Sequence, residues 1–235
     1  MVIESTTNGN KSLHTGAMDS GSSACLAHDA EPVTEPSLPL PNSEEDFPVY
    51  LQSDSRWGGL WFGPSGIYGG VGATLAEGGC GPISFAMLAT ALTGREILPS
   101  AVADVAGLAG TYARSAGCYW AITKILAEYY GLQYVKISAS TVQEAISAVN
   151  RYLEDGWMIH TSGQGIEPFT KHGHYIGIRE ITASGKWRIA DSKENGLENT
   201  LSKEWDPPAL VAAGMNIDNI HAIKLTNISN RNRRD

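Results

Sequence analysis

Cysteine is scarce in this 235-residue chain, which carries three copies at Cys25, Cys80 and Cys118. An odd number makes a poor disulfide framework, and no Cys-x-x-Cys or His/Cys spacing suggests a zinc site. At least one thiol is therefore expected to be free. Basic residues are also in short supply: Lys and Arg number 17 against 25 Asp and Glu, for a net charge of −8. No basic stripe offsets that balance, which excludes a general nucleic-acid binder. The one basic cluster, Arg231, Arg233 and Arg234, sits at the C-terminal end. No apolar run approaches the length of a membrane span. The N-terminus lacks the basic start and apolar core of a secretory signal, which leaves the cytoplasm as the default expectation.

Apolar residues make up 42% of the chain, enough for the core of one domain of ordinary size. They are unevenly spread. Residues 1–46 are rich in Ser, Thr, Asn, Gly, Pro and acidic residues and offer little to bury. They are expected to be a disordered leader or linker, the alternative being a regulatory pro-segment. The folded domain is expected over 47–228, opening at Phe47-Pro48-Val49-Tyr50-Leu51, with 229–235 as a disordered tail.

Within that domain Gly78-Gly79-Cys80-Gly81-Pro82 precedes a strongly apolar helical pattern. Pro82 suits a first helical turn, where its missing N–H costs nothing. Phe85, Leu88, Ala89 and Leu92 recur at helical spacing, and Gly94 is the expected stop. Cys80 then lies at a helix N-terminus, where the positive end of the dipole favours thiolate over thiol. Further on, Leu98-Pro99-Ser100 starts a short helix through Val105, and a loop carries Gly107, Gly110 and Gly117. Tyr119 to Tyr130 reads as a helix ended by Gly131. Gln133 to Ile137 reads as a strand, and Thr141-Val142-Gln143-Glu144 as a capping box opening a helix to Leu153. Trp157 to Thr161 has a buried-strand pattern. His174 to Ile181 and Lys186 to Ala190 form a hairpin about Ala183-Ser184-Gly185. A helical turn or loop over Trp205 to Ala213 leads to a last strand, Ile220 to Leu225. Helices first and antiparallel strands later is the α+β pattern.

Nucleophilic thiol catalysis needs a base for the thiol proton and a third group to orient that base. His174 opens one strand of the hairpin and Asp191 ends the other, so the two can meet at one rim of the sheet. Four segments, in this order, resemble those of the peptidase C39-like, papain-like cysteine peptidases. These are Leu51-Gln52-Ser53-Asp54-Ser55-Arg56-Trp57-Gly58, Gly79-Cys80-Gly81-Pro82, Gly173-His174-Tyr175-Ile176 and Ala190-Asp191-Ser192. The resemblance covers about Tyr50 to Leu225. It implies a papain-like fold with N-terminal helices packed on an antiparallel sheet, Cys80 as nucleophile, His174 as base and Asp191 as orienter. It also implies that Gln52 lends its amide to the oxyanion hole beside the Cys80 N–H. In papain the oxyanion glutamine stands a few residues before the cysteine, and this chain departs from that, with no glutamine in 74–79.

The expected activity is hydrolysis of peptide bonds in a peptide or protein substrate, with no cofactor and no metal. The same triad could serve cell-wall amide hydrolysis, deamidation or acyl or peptidyl transfer; a non-catalytic binding module keeping the fold is the reading from another class. His172 is the second candidate base, and His160 is expected to be a hydrogen-bonded core histidine. Cys118, also before a helix and open to a lowered pKa, reads as a groove or packing residue. Trp57, Trp61 and Trp120 are candidates for cleft lining or core.

Overall fold

The computed structural model describes residues 47–61, 74–113 and 117–226. The expectations for 1–46, Cys25 and 227–235 lie outside the described residues. Seven helices and seven strands follow in order among those described. They are α1 (Leu75–Gly78), α2 (Cys80–Thr93), α3 (Pro99–Leu108), β1 (Tyr112–Ala113), β2 (Gly117–Cys118), α4 (Ile122–Tyr129), β3 (Leu132–Ile137), α5 (Val142–Glu154), β4 (Met158–Gly163), β5 (His174–Ile181), β6 (Trp187–Ala190), α6 (Gly196–Leu201), α7 (Pro207–Ala212) and β7 (Met215–Leu225). The class is α+β.

The main sheet runs β3-β7-β4-β5-β6, and every neighbouring pair is antiparallel. Alternation along β5 assigns its side chains to two cores. Tyr175 joins α2, α3 and α4 in one apolar cluster, while Ile176 and Ile178 join α5 and α7 in the other. Helix α2 is apolar around nearly its whole circumference because it is buried on nearly all sides. It lies so close to β5 that a Cβ on Gly177 would stand 2.6 Å from Leu88 Cδ2. This close approach fixes the N-terminus of α2 against the start of β5.

Local chemistry explains most boundaries. Gly94 and Gly131 take φ of +66° and +67° at the ends of α2 and near the end of α4. Thr141 Oγ1 accepts from the Glu144 N–H at 3.2 Å, and Glu144 reaches back to the Ser140 N–H at 2.8 Å, one residue beyond the expected box partner. The β5–β6 turn closes with Gly185 at φ +78° and Thr182 N–H on the Lys186 carbonyl at 2.8 Å.

Several elements differ from expectation. Helix α4 begins at Ile122 rather than Tyr119, because the Tyr119 N–H is held by the Thr111 carbonyl at 2.7 Å. Helix α3 runs on to Leu108 and absorbs Gly107. The short hairpin β1–β2 and helix α6 had no sequence signal. The turn α1, absent from the expected elements, does carry one: the capping box of Thr74 and Glu77, whose carboxylate accepts from the Thr74 N–H at 3.2 Å. Strand β7 starts at Met215, five residues before the expected Ile220, because β4 pairs along it as far as Gly163 with Met215. Helices and strands are also less segregated than the expected pattern, since α5, α6 and α7 are interleaved with the sheet strands.

Candidate active site

Cys80 is the first residue of α2, preceded by Gly79 at φ −83° and ψ 8°. Its N–H and that of Gly81 belong to the first turn, whose donors have no acceptor within their own helix. His174 opens β5 and is 4% exposed; Asp191 follows β6 and is fully buried. The hairpin brings them together. Gly177 pairs with Ala190, so the chain leaves β6 at Asp191 beside the first residues of β5. The outcome is a hydrogen bond of 2.7 Å between His174 Nε2 and Asp191 Oδ1. The imidazole also faces Cys80, whose sulfur favours its charged form. With Nε2 given to the carboxylate, Nδ1 is the nitrogen left for the sulfur.

The three groups reinforce one another's charges. Burial pushes the Cys80 thiol up, but the His174 hydrogen bond and charge, with the N–H groups of Tyr175 and Gly81, bring it below its ordinary value. Burial pulls His174 down, yet its bonds to Asp191 and Cys80 raise it to about 9. Burial would raise Asp191, and His174, Asn199 Nδ2 and the Lys193 N–H hold it low. Each of these shifts favours the thiolate–imidazolium pair backed by a carboxylate over the neutral thiol and imidazole.

Gln52 reaches the same place from the far end of the domain. Its N–H donates to the Ser192 carbonyl at 2.7 Å, and its Oε1 accepts from Ser192 Oγ at 3.2 Å. Its Nε2 rests on the Leu75 and Ala76 carbonyls, both at 3.3 Å, just ahead of Cys80. Gln52, Cys80 and His174 all line one cavity of about 910 Å³.

His172 also lines the cavity, on the exposed loop before Gly173 (φ +92°), but the Asp191 bond belongs to His174. His160 is a core histidine, held between Ser84 Oγ at 3.0 Å and Thr123 Oγ1 at 2.7 Å. Cys118 lines the cavity too, but burial and the neighbouring Cys80 charge push its thiol well up, against the lowered value its position before a helix suggests. Trp120 is a half-exposed cavity wall, Trp57 is core, and Trp61 stands half-exposed where it bridges to Thr74.

Asn199 had no sequence signal. Buried on α6, it donates 2.7 Å bonds to Asp191 Oδ2 and to Glu167 Oε1. Glu167 in turn accepts from Lys193 Nζ at 2.6 Å. The carboxylate of Asp191 is thus fixed at both oxygens. No protein-family model matches the chain, and no curated protein matches it.

Proposed function

We propose that the chain is a cysteine peptidase of papain-like fold, hydrolysing peptide bonds through an acyl-enzyme on Cys80. The observation that carries this reading is a buried imidazole bonded to a buried carboxylate and facing a thiol at a helix start, beside a cavity large enough for a peptide segment. A structural ion pair needs no thiol, and a structural cysteine needs no cavity.

The chemistry follows from the residues. Cys80 sulfur attacks the carbonyl carbon of the scissile amide, and negative charge moves to the carbonyl oxygen. The Cys80 N–H and the Gln52 amide are the donors for that oxyanion, the amide turning from its long bonds to Leu75 and Ala76. His174 passes its Nδ1 proton to the leaving amine as the carbon–nitrogen bond breaks. Water then attacks the thioester carbon with His174 as base, releasing the acid and restoring the thiol. Throughout, Asp191 holds the ring in one orientation and stabilises its charged form.

Incubation of the full chain with a mixed peptide library, read by mass spectrometry, tests the reading. New termini that appear with the wild type and vanish with Cys80→Ala are expected. Absence of cleavage by folded protein at neutral pH, or cleavage that survives Cys80→Ala, would overturn it.

A further inference from the structure

We propose that Cys118 is a resolving thiol for Cys80, so that a hydroperoxide converts the site reversibly to a Cys80–Cys118 disulfide. The inference rests on the function proposed above for its effect on turnover, but not for the thiol chemistry itself. Both cysteines are free, half-buried and open to the same cavity. Cys118 packs against the residue next to Cys80: a Cβ on Gly81 would lie 2.7 Å from Cys118 Sγ and 3.2 Å from its Cβ. Gly81 follows Cys80 directly, and consecutive Cα atoms are about 3.8 Å apart. The Gly81 N–H faces both sulfurs. The missing side chain at position 81 is what lets β2 bring Cys118 against the start of α2.

The main-chain placement of Cys118 is also well held. Its strand pairs Cys118 with Tyr112, and the next residue, Tyr119, donates its N–H to Thr111. A thiol serving only to fill space needs neither cavity access nor a second sulfur beside it. The two thiols also divide the work. Cys80 carries the thiolate character that a peroxide selects. Cys118 is held protonated by burial and by the Cys80 charge, so it does not compete for the oxidant.

The steps balance. The Cys80 thiolate attacks the distal oxygen of a hydroperoxide ROOH, and the O–O bond breaks to give Cys80–SOH and, with the His174 proton, ROH. Oxidation removes the Cys80 charge, the second of the two causes that held Cys118 protonated, and leaves burial as the first. Its sulfur then displaces the sulfenic oxygen, forming the S–S bond and releasing water. The two sulfurs lose two electrons in total and the peroxide gains them. A dithiol reductant reverses the change.

The test treats full-length protein carrying Cys25→Ser with hydrogen peroxide at neutral pH, and maps peptides by mass spectrometry without reduction. A linked pair of Cys80 and Cys118 peptides, lighter by two hydrogens than their sum, is expected, with full reversal by dithiothreitol. In Cys118→Ser and Cys118→Ala, each checked for a native melting curve, Cys80 should advance to sulfinic acid that dithiothreitol does not reverse. Sulfenic or sulfinic acid on Cys80 beside an unmodified Cys118 in the parent protein would overturn the proposal. So would loss of thiol titre equally irreversible with and without Cys118. Peptide turnover, measured in parallel, separates the two claims: a mapped disulfide in a protein that cleaves nothing sinks only the peptidase reading, and turnover without a disulfide sinks only this one.

Discussion

Replacing Asp191 with asparagine keeps the shape of the side chain and removes its charge. Both native oxygens accept: Oδ1 from His174 Nε2 at 2.7 Å and from the Lys193 N–H at 3.1 Å, Oδ2 from Asn199 Nδ2 at 2.7 Å. An amide keeps only one accepting oxygen. If that oxygen stays toward His174, the new NH2 meets Asn199 Nδ2, donor against donor. Turning Asn199 over sets its oxygen against Glu167 Oε1, now 2.7 Å from its nitrogen. One such buried mismatch costs about 1–3 kcal/mol of stability. The cost in rate comes from the imidazolium. His174 stands at about 9 against an ordinary 6.5, despite burial, because of Asp191 and Cys80. At about 1.4 kcal/mol per pKa unit, that rise favours the charged ring by about 3 kcal/mol. Cys80 supplies part of that rise and stays in the variant, so losing the carboxylate's share should slow acylation by about tenfold to a hundredfold. The sign for stability follows: a raised folded pKa contributes fully below 6.5 and is lost as pH rises through about 9. We expect kcat/KM of the wild type to keep its basic limb near 9, and that of Asp191→Asn to shift it toward 6.5. Melting curves over the same range should flatten in the variant. A variant with wild-type kcat/KM and an unmoved basic limb would refute the role given to the carboxylate.

Gln52→Ala should lower the acylation rate about a hundred- to a thousandfold while Cys80 still alkylates at the wild-type rate; unchanged turnover would assign the oxyanion to backbone donors alone. Gly177→Ala should destabilise the fold by about 1–3 kcal/mol, because its Cβ would overlap buried Leu88, and denaturant titration would read the loss. His160, lowered to about 3 by burial first and the His221 charge next, should stay neutral in an NMR titration down to pH 5. A depressed histidine favours the fold above 6.5 and loses that contribution as pH falls toward about 3, so melting temperatures should drop in acid. A normal His160 titration near 6.5 would contradict its burial between Ser84 and Thr123.

Features that rest on local chemistry were readable in the chain. Pro82, Gly94, Thr141 and Gly185 each set a cap or turn by their own geometry, and the hairpin they imply brings His174 to Asp191. What depends on distant segments was not. Helix α6 starts at Gly196 with no apolar stripe to announce it; its place follows from the Asp191 carbonyl, which packs where a Cβ would be. Asn199 rides on that helix, so its bond to Asp191 had no spacing to betray it. The first half of β7, Met215-Asn216-Ile217-Asp218-Asn219, reads as polar, yet Asn219 is buried there, donating to Ser162 Oγ and accepting from His221. The approach of Gln52 to Cys80 rests on main-chain and side-chain bonds to Ser192, 140 residues away, and on the Leu75 and Ala76 carbonyls. Cys118 was legible as a groove residue but not as a neighbour of Cys80, since that contact passes through the empty side of Gly81.

The most direct measurement is capture of the acyl-enzyme. Full-length protein is mixed with a peptide library, quenched in acid within the first turnover, digested and read by mass spectrometry. The account predicts an acyl adduct on the Cys80 peptide in the wild type, reduced in step with turnover in His174→Ala and Asp191→Asn. An adduct on Cys118, or peptide cleavage with no adduct on Cys80 at any quench time, would contradict it.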